Sequence, residues 1–123
     1  MKVLVFGAGG MIGHKMFLFL KQQGHQVFGA IRQTRKVYEK FNLFEDQEVL
    51  DQVDVVQNEK VEQILNEIKP DVILNCVGIT LRKPEIKDFE YSKKINSEFP
   101  HFLNFWVEQN ESYLIHFSTD CVF

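Results

Sequence analysis

Gly7, Gly10 and Gly13 stand three residues apart, directly after the apolar run Val3-Leu4-Val5-Phe6 and at the mouth of residues 11–23, which are patterned as a helix. That arrangement suits a pyrophosphate. A strand that turns sharply into a helix gathers free backbone N–H groups and the positive end of the helix dipole at one point, where an anion is stabilised. Gly7 allows the tight turn, Gly10 leaves room for a diphosphate, and Gly13 lets the helix pack against the strand. Glycine-rich turns are common, so the triplet gains its meaning from context, and a strand before with a helix after is what a dinucleotide fingerprint requires. Gly7, Gly10, Met11, Ile12 and Gly13 form the first group of candidate cofactor-binding residues.

A second signal lies at the end of the next apolar run. An acidic residue there would accept hydrogen bonds from the ribose 2′-hydroxyl of NAD. None occurs; Ala30 and Ile31 lead to Arg32, whose guanidinium suits a 2′-phosphate. NADP(H) is therefore expected in preference to NAD(H), the alternative being an Arg32 that is merely solvated. Arg35 and Lys36 either assist or are ordinary surface charges. Cys76 and Cys121 sit in apolar contexts without a CxxC partner and read as buried free thiols of a reducing compartment. His14, His25, His101 and His116 show no metal-ligand spacing and read as surface or packed histidines.

Composition bounds the rest. A chain of 123 residues with 45% hydrophobic residues is expected to form one domain with a real core. Its net charge of −3 is spread along the chain, and the basic residues form no stripe, so a nucleic acid partner is not expected. The opening residues are too short an apolar run for a signal peptide core or a membrane span, and a cytoplasmic protein is expected.

The elements that must position these residues alternate between strand and helix. Residues 2–6 read as a first strand, 11–23 as a helix closed by Gly24, and 26–31 as a second strand. The stretch 33–52 is charged and irregular, anchored by Phe41, Leu43 and Phe44, and is expected to be a loop or short helix. Residues 53–56 read as a short third strand. Asn58 is expected to cap a helix with Val61, Ile64, Leu65 and Ile68 on one face, stopped by Pro70. Residues 71–77 suit a parallel strand buried on both faces. A helical segment over 88–109 contains Pro100, which should kink or split it, and 113–117 make a fifth strand.

Right-handed crossovers then give an α/β, doubly wound parallel (Rossmann) sheet in the order 3-2-1-4-5 with helices on both faces. Ligands of such sheets bind beyond the carboxyl ends of the strands, where the order reverses. The Gly7 loop, Arg32, Asp54, residues 75–78 and residues 118–120 are expected on that rim.

Gly7-x-x-Gly10-x-x-Gly13, Asn75-Cys76-Val77-Gly78, the stretch from Ile95 through Pro100 to His101, and above all Phe117-Ser118-Thr119-Asp120-Cys121-Val122-Phe123 carry a resemblance. The chain resembles the extended short-chain dehydrogenase/reductase family, and within it the dTDP-4-dehydrorhamnose reductase group of nucleotide-sugar reductases. The match runs over essentially the whole chain, and its Ser-Thr-Asp-Cys-Val-Phe ending is the most specific part.

The resemblance implies reduction of a keto group on a nucleotide-linked sugar by hydride from a nicotinamide, with a Ser or Thr, a Tyr and a Lys as the catalytic group. Thr119 matches the hydroxyl position, where it would bond the substrate oxygen; the alternative is a strand-end threonine tied to the local backbone. Asp54 matches the adenine contact, with Val55 offering its backbone and an apolar surface to the ring. Cys76, Val77, Gly78 and Ser118 belong with the cofactor on the same reasoning, Val77 and Gly78 passing close to the nicotinamide ribose. Asn96 matches a helix asparagine that supports the active site, although capping a broken helix explains it equally well. Thr80, Arg82 and Lys83 lie in the loop after the fourth strand, where substrate would pass, and carry no assigned role.

The family's Tyr-x-x-x-Lys pair is not found. Tyr38, Tyr91 and Tyr113 are followed four residues later by Asn42, Ile95 and Phe117. The chain is thus expected to be the cofactor-binding part of a nucleotide-sugar reductase, 1–123, inactive alone and without the substrate domain. Alternatives are a standalone dinucleotide-sensing module and the cofactor domain of an epimerase or dehydratase. A strand edge left unpaired at the fifth strand should favour a homo-oligomer.

Overall fold

The computed structural model describes residues 1–32, 49–77 and 93–117. Five parallel strands form one sheet in the order β3-β2-β1-β4-β5, as the alternation of patterns predicts. They are β1 (Lys2–Phe6), β2 (Gln26–Ala30), β3 (Val49–Leu50), β4 (Val72–Asn75) and β5 (Tyr113–His116). Helix α1 (Met11–Gln22) joins β1 to β2, α2 (Asn58–Ile68) precedes β4, and α3 (Phe99–Asn110) precedes β5.

The period of two along β1 decides where the core lies. Leu4 and Phe6 point to one face, where α2 and α3 close over them with Val61, Leu65, Phe99, Leu103 and Trp106. Val3 and Val5 point to the other, against Phe17 of α1 and Val27. Every residue of β1 after Lys2 is buried, so this strand must be apolar throughout. On the α2–α3 side the Phe6 and Phe99 rings meet edge to face, centroids 5.2 Å apart. Trp106 lies in the same cluster, and its indole N–H donates to Asn66 Oδ1 at 3.1 Å, so its one polar atom is satisfied.

Two expectations are corrected. The third strand is not residues 53–56 but Val49–Leu50, which pair with Gly29 and Ala30. Beyond them Gln52 takes a left-handed φ of 57°, and the chain folds into a turn in which Val56 N–H donates to Asp54 Oδ1 and Gln57 N–H to the Asp54 carbonyl. Val53 and Val55, on either side of Asp54, plug the core from this turn, which imitates a strand. Asn58 does not cap α2 either. It is the first helical residue, Gln57 holds the cap position, and no side chain bonds the helix end.

Other boundaries follow their chemistry. Gly24 sits at φ +90°, the left-handed end expected after α1. α2 stops at Ile68, with Lys69 left-handed just before Pro70. Pro100 lacks an N–H, and its ring would crowd the carbonyl four residues back. The helix relieves this by widening into a π turn over Lys94–Glu98, with Phe99 N–H reaching back to the Lys94 carbonyl, and α3 starts afresh with Pro100 in its first turn. Residues 33–48, 78–92 and 118–123 lie outside the described residues, and with them Arg35, Lys36, Gly78, Ser118, Thr119 and Cys121. Among the described residues no helix is long and apolar enough to cross a membrane.

Candidate functional site

At the carboxyl end of β1 the backbone is packed to the limit of what any residue allows. Gly7 has φ +79°, and a Cβ there would come within 2.9 Å of the Cys76 backbone. A Cβ on Gly13 would lie 2.0 Å from the Gly7 carbonyl oxygen, so only glycine lets α1 begin this close to the strand it leaves. Gly10 differs. Its φ is −81°, and a Cβ there would meet only the Gly7 oxygen, at an ordinary 3.5 Å. Among the described residues nothing requires glycine at position 10, and its small size leaves space beside the turn.

That space is where α1 begins. Gly10 is the N-cap, no side chain among the described residues caps the helix end, and no acidic residue occupies the first turn. Gly10 N–H donates to the Gly7 carbonyl at 3.1 Å, which closes the turn. Met11 and Ile12 expose their side chains, so what they bring to the site is backbone N–H. A cradle that glycine keeps open, under a helix end with no acidic residue in its first turn, fits the diphosphate of a dinucleotide.

Backbone hydrogen bonds tie the neighbouring segments to this turn. Gly7 and Ala8 N–H both donate to the Ala30 carbonyl, and Cys76 N–H donates to Phe6. Ile31 N–H reaches Leu50, and Val53 N–H returns to Ile31. The structure thus gathers the Gly7 turn, Arg32, the Asp54 turn and residues 75–77 on one rim. Arg32 is exposed just past β2. Asp54 is half-buried with one oxygen engaged by its own turn, while Val55 is buried in the core and turns only backbone to the rim. Cys76 is a half-buried free thiol whose pKa desolvation pushes up to about 11, so it stays neutral. Asn96 lies within the π turn, and the cap position of α3 is held by Glu98.

One contributor escaped the sequence reading, and a second was placed on the rim without its partners. Gly29 in β2 faces α1, and a Cβ there would press to 2.9 Å on Ala8 and 3.1 Å on the Phe17 ring, so this glycine sets how close α1 approaches the sheet. A glycine inside a strand was the available signal. Asn75 is fully buried, accepts from Val77 N–H at 3.1 Å and bonds the His116 ring at 3.0 Å. Its place in the Asn75-Cys76-Val77-Gly78 motif pointed to it without showing those partners.

A family model described as the RmlD substrate binding domain matches residues 1–123. The chain belongs to the RmlD substrate binding domain family. It is 29% identical over all its residues to a probable low-salt glycan biosynthesis reductase of Haloferax volcanii and 28% identical to a dTDP-4-dehydrorhamnose reductase of Burkholderia thailandensis. This RmlD-family chain spans 38% and 35% of those two proteins. The Bordetella bronchiseptica enzyme WbmG, solved in complex with NAD, shares the fold with a TM-score of 0.78 at 16% identity, over 98% of this chain and 38% of that one.

Proposed function

We propose that this RmlD-family chain is the dinucleotide-binding part of a nucleotide-sugar reductase, one that transfers hydride to a keto group of a nucleotide-linked sugar. The observation that carries the reading is the β1–α1 turn, in which backbone contact forces glycine at positions 7 and 13 while at position 10 no described residue imposes such a need. Gly7, Gly10 and the N–H groups of Met11, Ile12 and Gly13 hold the diphosphate. Asp54 and the Val55 backbone lie on the adenine side, and Cys76, Val77 and Gly78 on the nicotinamide side. The bound nicotinamide supplies the hydride. Ser118 adjoins it, and Thr119 orients the substrate oxygen by hydrogen bonding.

NADP(H) is the preferred cofactor in this reading. Its support is Arg32, which follows β2 where that strand's own sequence ends without an acidic residue, since a guanidinium suits a 2′-phosphate. Family membership and the two reductase relatives support the sugar-nucleotide substrate class. The chain alone is expected to bind cofactor without turning substrate over, since no Tyr-x-x-x-Lys pair occurs in its 123 residues. Calorimetric titration with NADPH and NADH tests the proposal. Tighter binding of NADPH is expected; equal affinity would remove the role of Arg32, and no binding of either would remove the site.

A further inference from the structure

The buried Asn75 side chain joins the two strands that end at the nicotinamide side of the rim. In the sheet Asn75 is in register with His116, and Phe117 N–H donates to the Asn75 carbonyl at 3.0 Å. The side chain adds two more bonds, one to Val77 N–H and one to His116 Nδ1. Their chemistry is not interchangeable. A backbone N–H can only donate, so the Asn75 atom facing Val77 must be the carbonyl oxygen Oδ1. The atom facing His116 is then Nδ2, which can only donate, and His116 Nδ1 must accept. An imidazole accepts at Nδ1 only when it is neutral with its proton on Nε2.

We propose that Asn75 and His116 are positioning residues for the cofactor rim, and that this pair holds the Cys76–Val77 turn in its binding geometry only while His116 is neutral. The proposal rests on the dinucleotide reading of that rim. A second proton on His116 puts an N–H against the Nδ2 of Asn75, two donors facing each other. Asn75 has no water to turn to, being fully buried. Rotating the amide to satisfy His116 would present Nδ2 to Val77 N–H and break the bond that shapes the turn. His116 is exposed at the end of β5, so its charged ring can also turn to solvent and leave Nδ2 without a partner. In each case the amide that holds Val77 loses an anchor, and Val77 adjoins the Gly7 backbone, where a Cβ on Gly7 would lie 3.0 Å from the Val77 nitrogen.

His116 shares a sheet face with Leu114, and the residues of the π turn and α3 that pack in the cluster on that face, Ile95, Phe99, Phe102 and Leu103, are apolar. Cys76 packs on the opposite face with Met16, Leu20 and Phe117.

The test uses the 123-residue chain and two readouts, ring nitrogen and Val77 amide NMR signals, and NADPH affinity, each at about pH 8 and about pH 5 on either side of the imidazole range. In the wild type, Nδ1 should be unprotonated at the higher pH, the Val77 amide should shift in step with His116 titration, and affinity should fall about fivefold at the lower pH. His116→Asn offers an amide oxygen in place of Nδ1 and does not titrate, so its affinity should stay near the wild-type high-pH value at both pH values. His116→Phe has no acceptor and should bind weakly at both. A proton on Nδ1 at high pH, a Val77 amide indifferent to His116, or a wild-type pH response in His116→Asn would overturn the proposal. A Val77 amide that follows His116 in a chain that binds no NADPH at either pH would instead overturn the cofactor reading of the rim, and the switch with it.

Discussion

The sharpest perturbation is a single methyl group at position 13. In Gly13→Ala the new carbon would sit 2.0 Å from the Gly7 carbonyl oxygen, about 1.4 Å inside the 3.4 Å at which ordinary contact begins. Neither partner yields cheaply, because both are backbone: Gly7 is held by its N–H bond to Ala30, and the start of α1 by His14 N–H to Gly10. Overpacking of this kind costs about 1–3 kcal/mol, and the upper end applies here. Alanine returns about 1 kcal/mol in helix propensity, leaving a net loss of about 2 kcal/mol, a fall in melting temperature on the order of 5–10 °C. Moving the first amides of α1 by about an ångström also loses a hydrogen bond to a charged group, so NADPH should bind about 10- to 100-fold more weakly. Gly10→Ala is the control. Its methyl meets nothing closer than 3.5 Å, so melting should stay within about 2 °C of wild type while affinity falls at least about tenfold. Differential scanning fluorimetry and calorimetric titration read both quantities. A Gly13→Ala chain that melts and binds like wild type, or a Gly10→Ala chain with undiminished affinity, would refute the reasoning.

Three further outcomes are expected. Arg32→Glu should reverse the cofactor preference, weakening NADPH and leaving NADH unchanged or improved, because a carboxylate repels a 2′-phosphate and accepts from a 2′-hydroxyl; unchanged NADPH affinity by calorimetry would exclude the contact. Cys76, with its pKa raised to about 11, should react slowly with iodoacetamide at neutral pH, and its rate should climb about tenfold per pH unit toward pH 11 before levelling, as followed by peptide mass spectrometry. A rate that plateaus near pH 9 would contradict burial of that thiol. Tyr113 and Ile115 are 74% and 49% exposed on β5, at an edge of the described sheet and on the side of α1, so a second copy of the chain is expected to cover them. Sedimentation velocity should show a dimer or larger species that Ile115→Lys shifts toward monomer; a wild-type monomer at high concentration would exclude this.

The sequence by itself determined the alternation of elements and the sheet order, because each rests on a repeating local pattern. Strand β1 is apolar on both faces, α1 buries Gly13 and Phe17 four apart, and α2 buries Val61, Ile64 and Leu65 at helical spacing. The glycine triplet was legible for the same reason, since three fixed offsets report a turn and a helix start. What only the tertiary structure decided has no such repeat. A strand of two residues, Val49–Leu50, is defined by its pairing with Gly29 and Ala30, and Val53 and Val55 imitate a strand because a buried turn and a pleated strand can show the same alternation. The π turn at Lys94–Glu98 reflects how the helix accommodates Pro100, one of several ways a chain can meet that ring. At the site, the contact of Gly29 with Phe17 and the bond from Asn75 to His116 join residues 12 and 41 positions apart. Which of two donors or acceptors a side chain must present is fixed by the partner it meets, and that partner is chosen by folding.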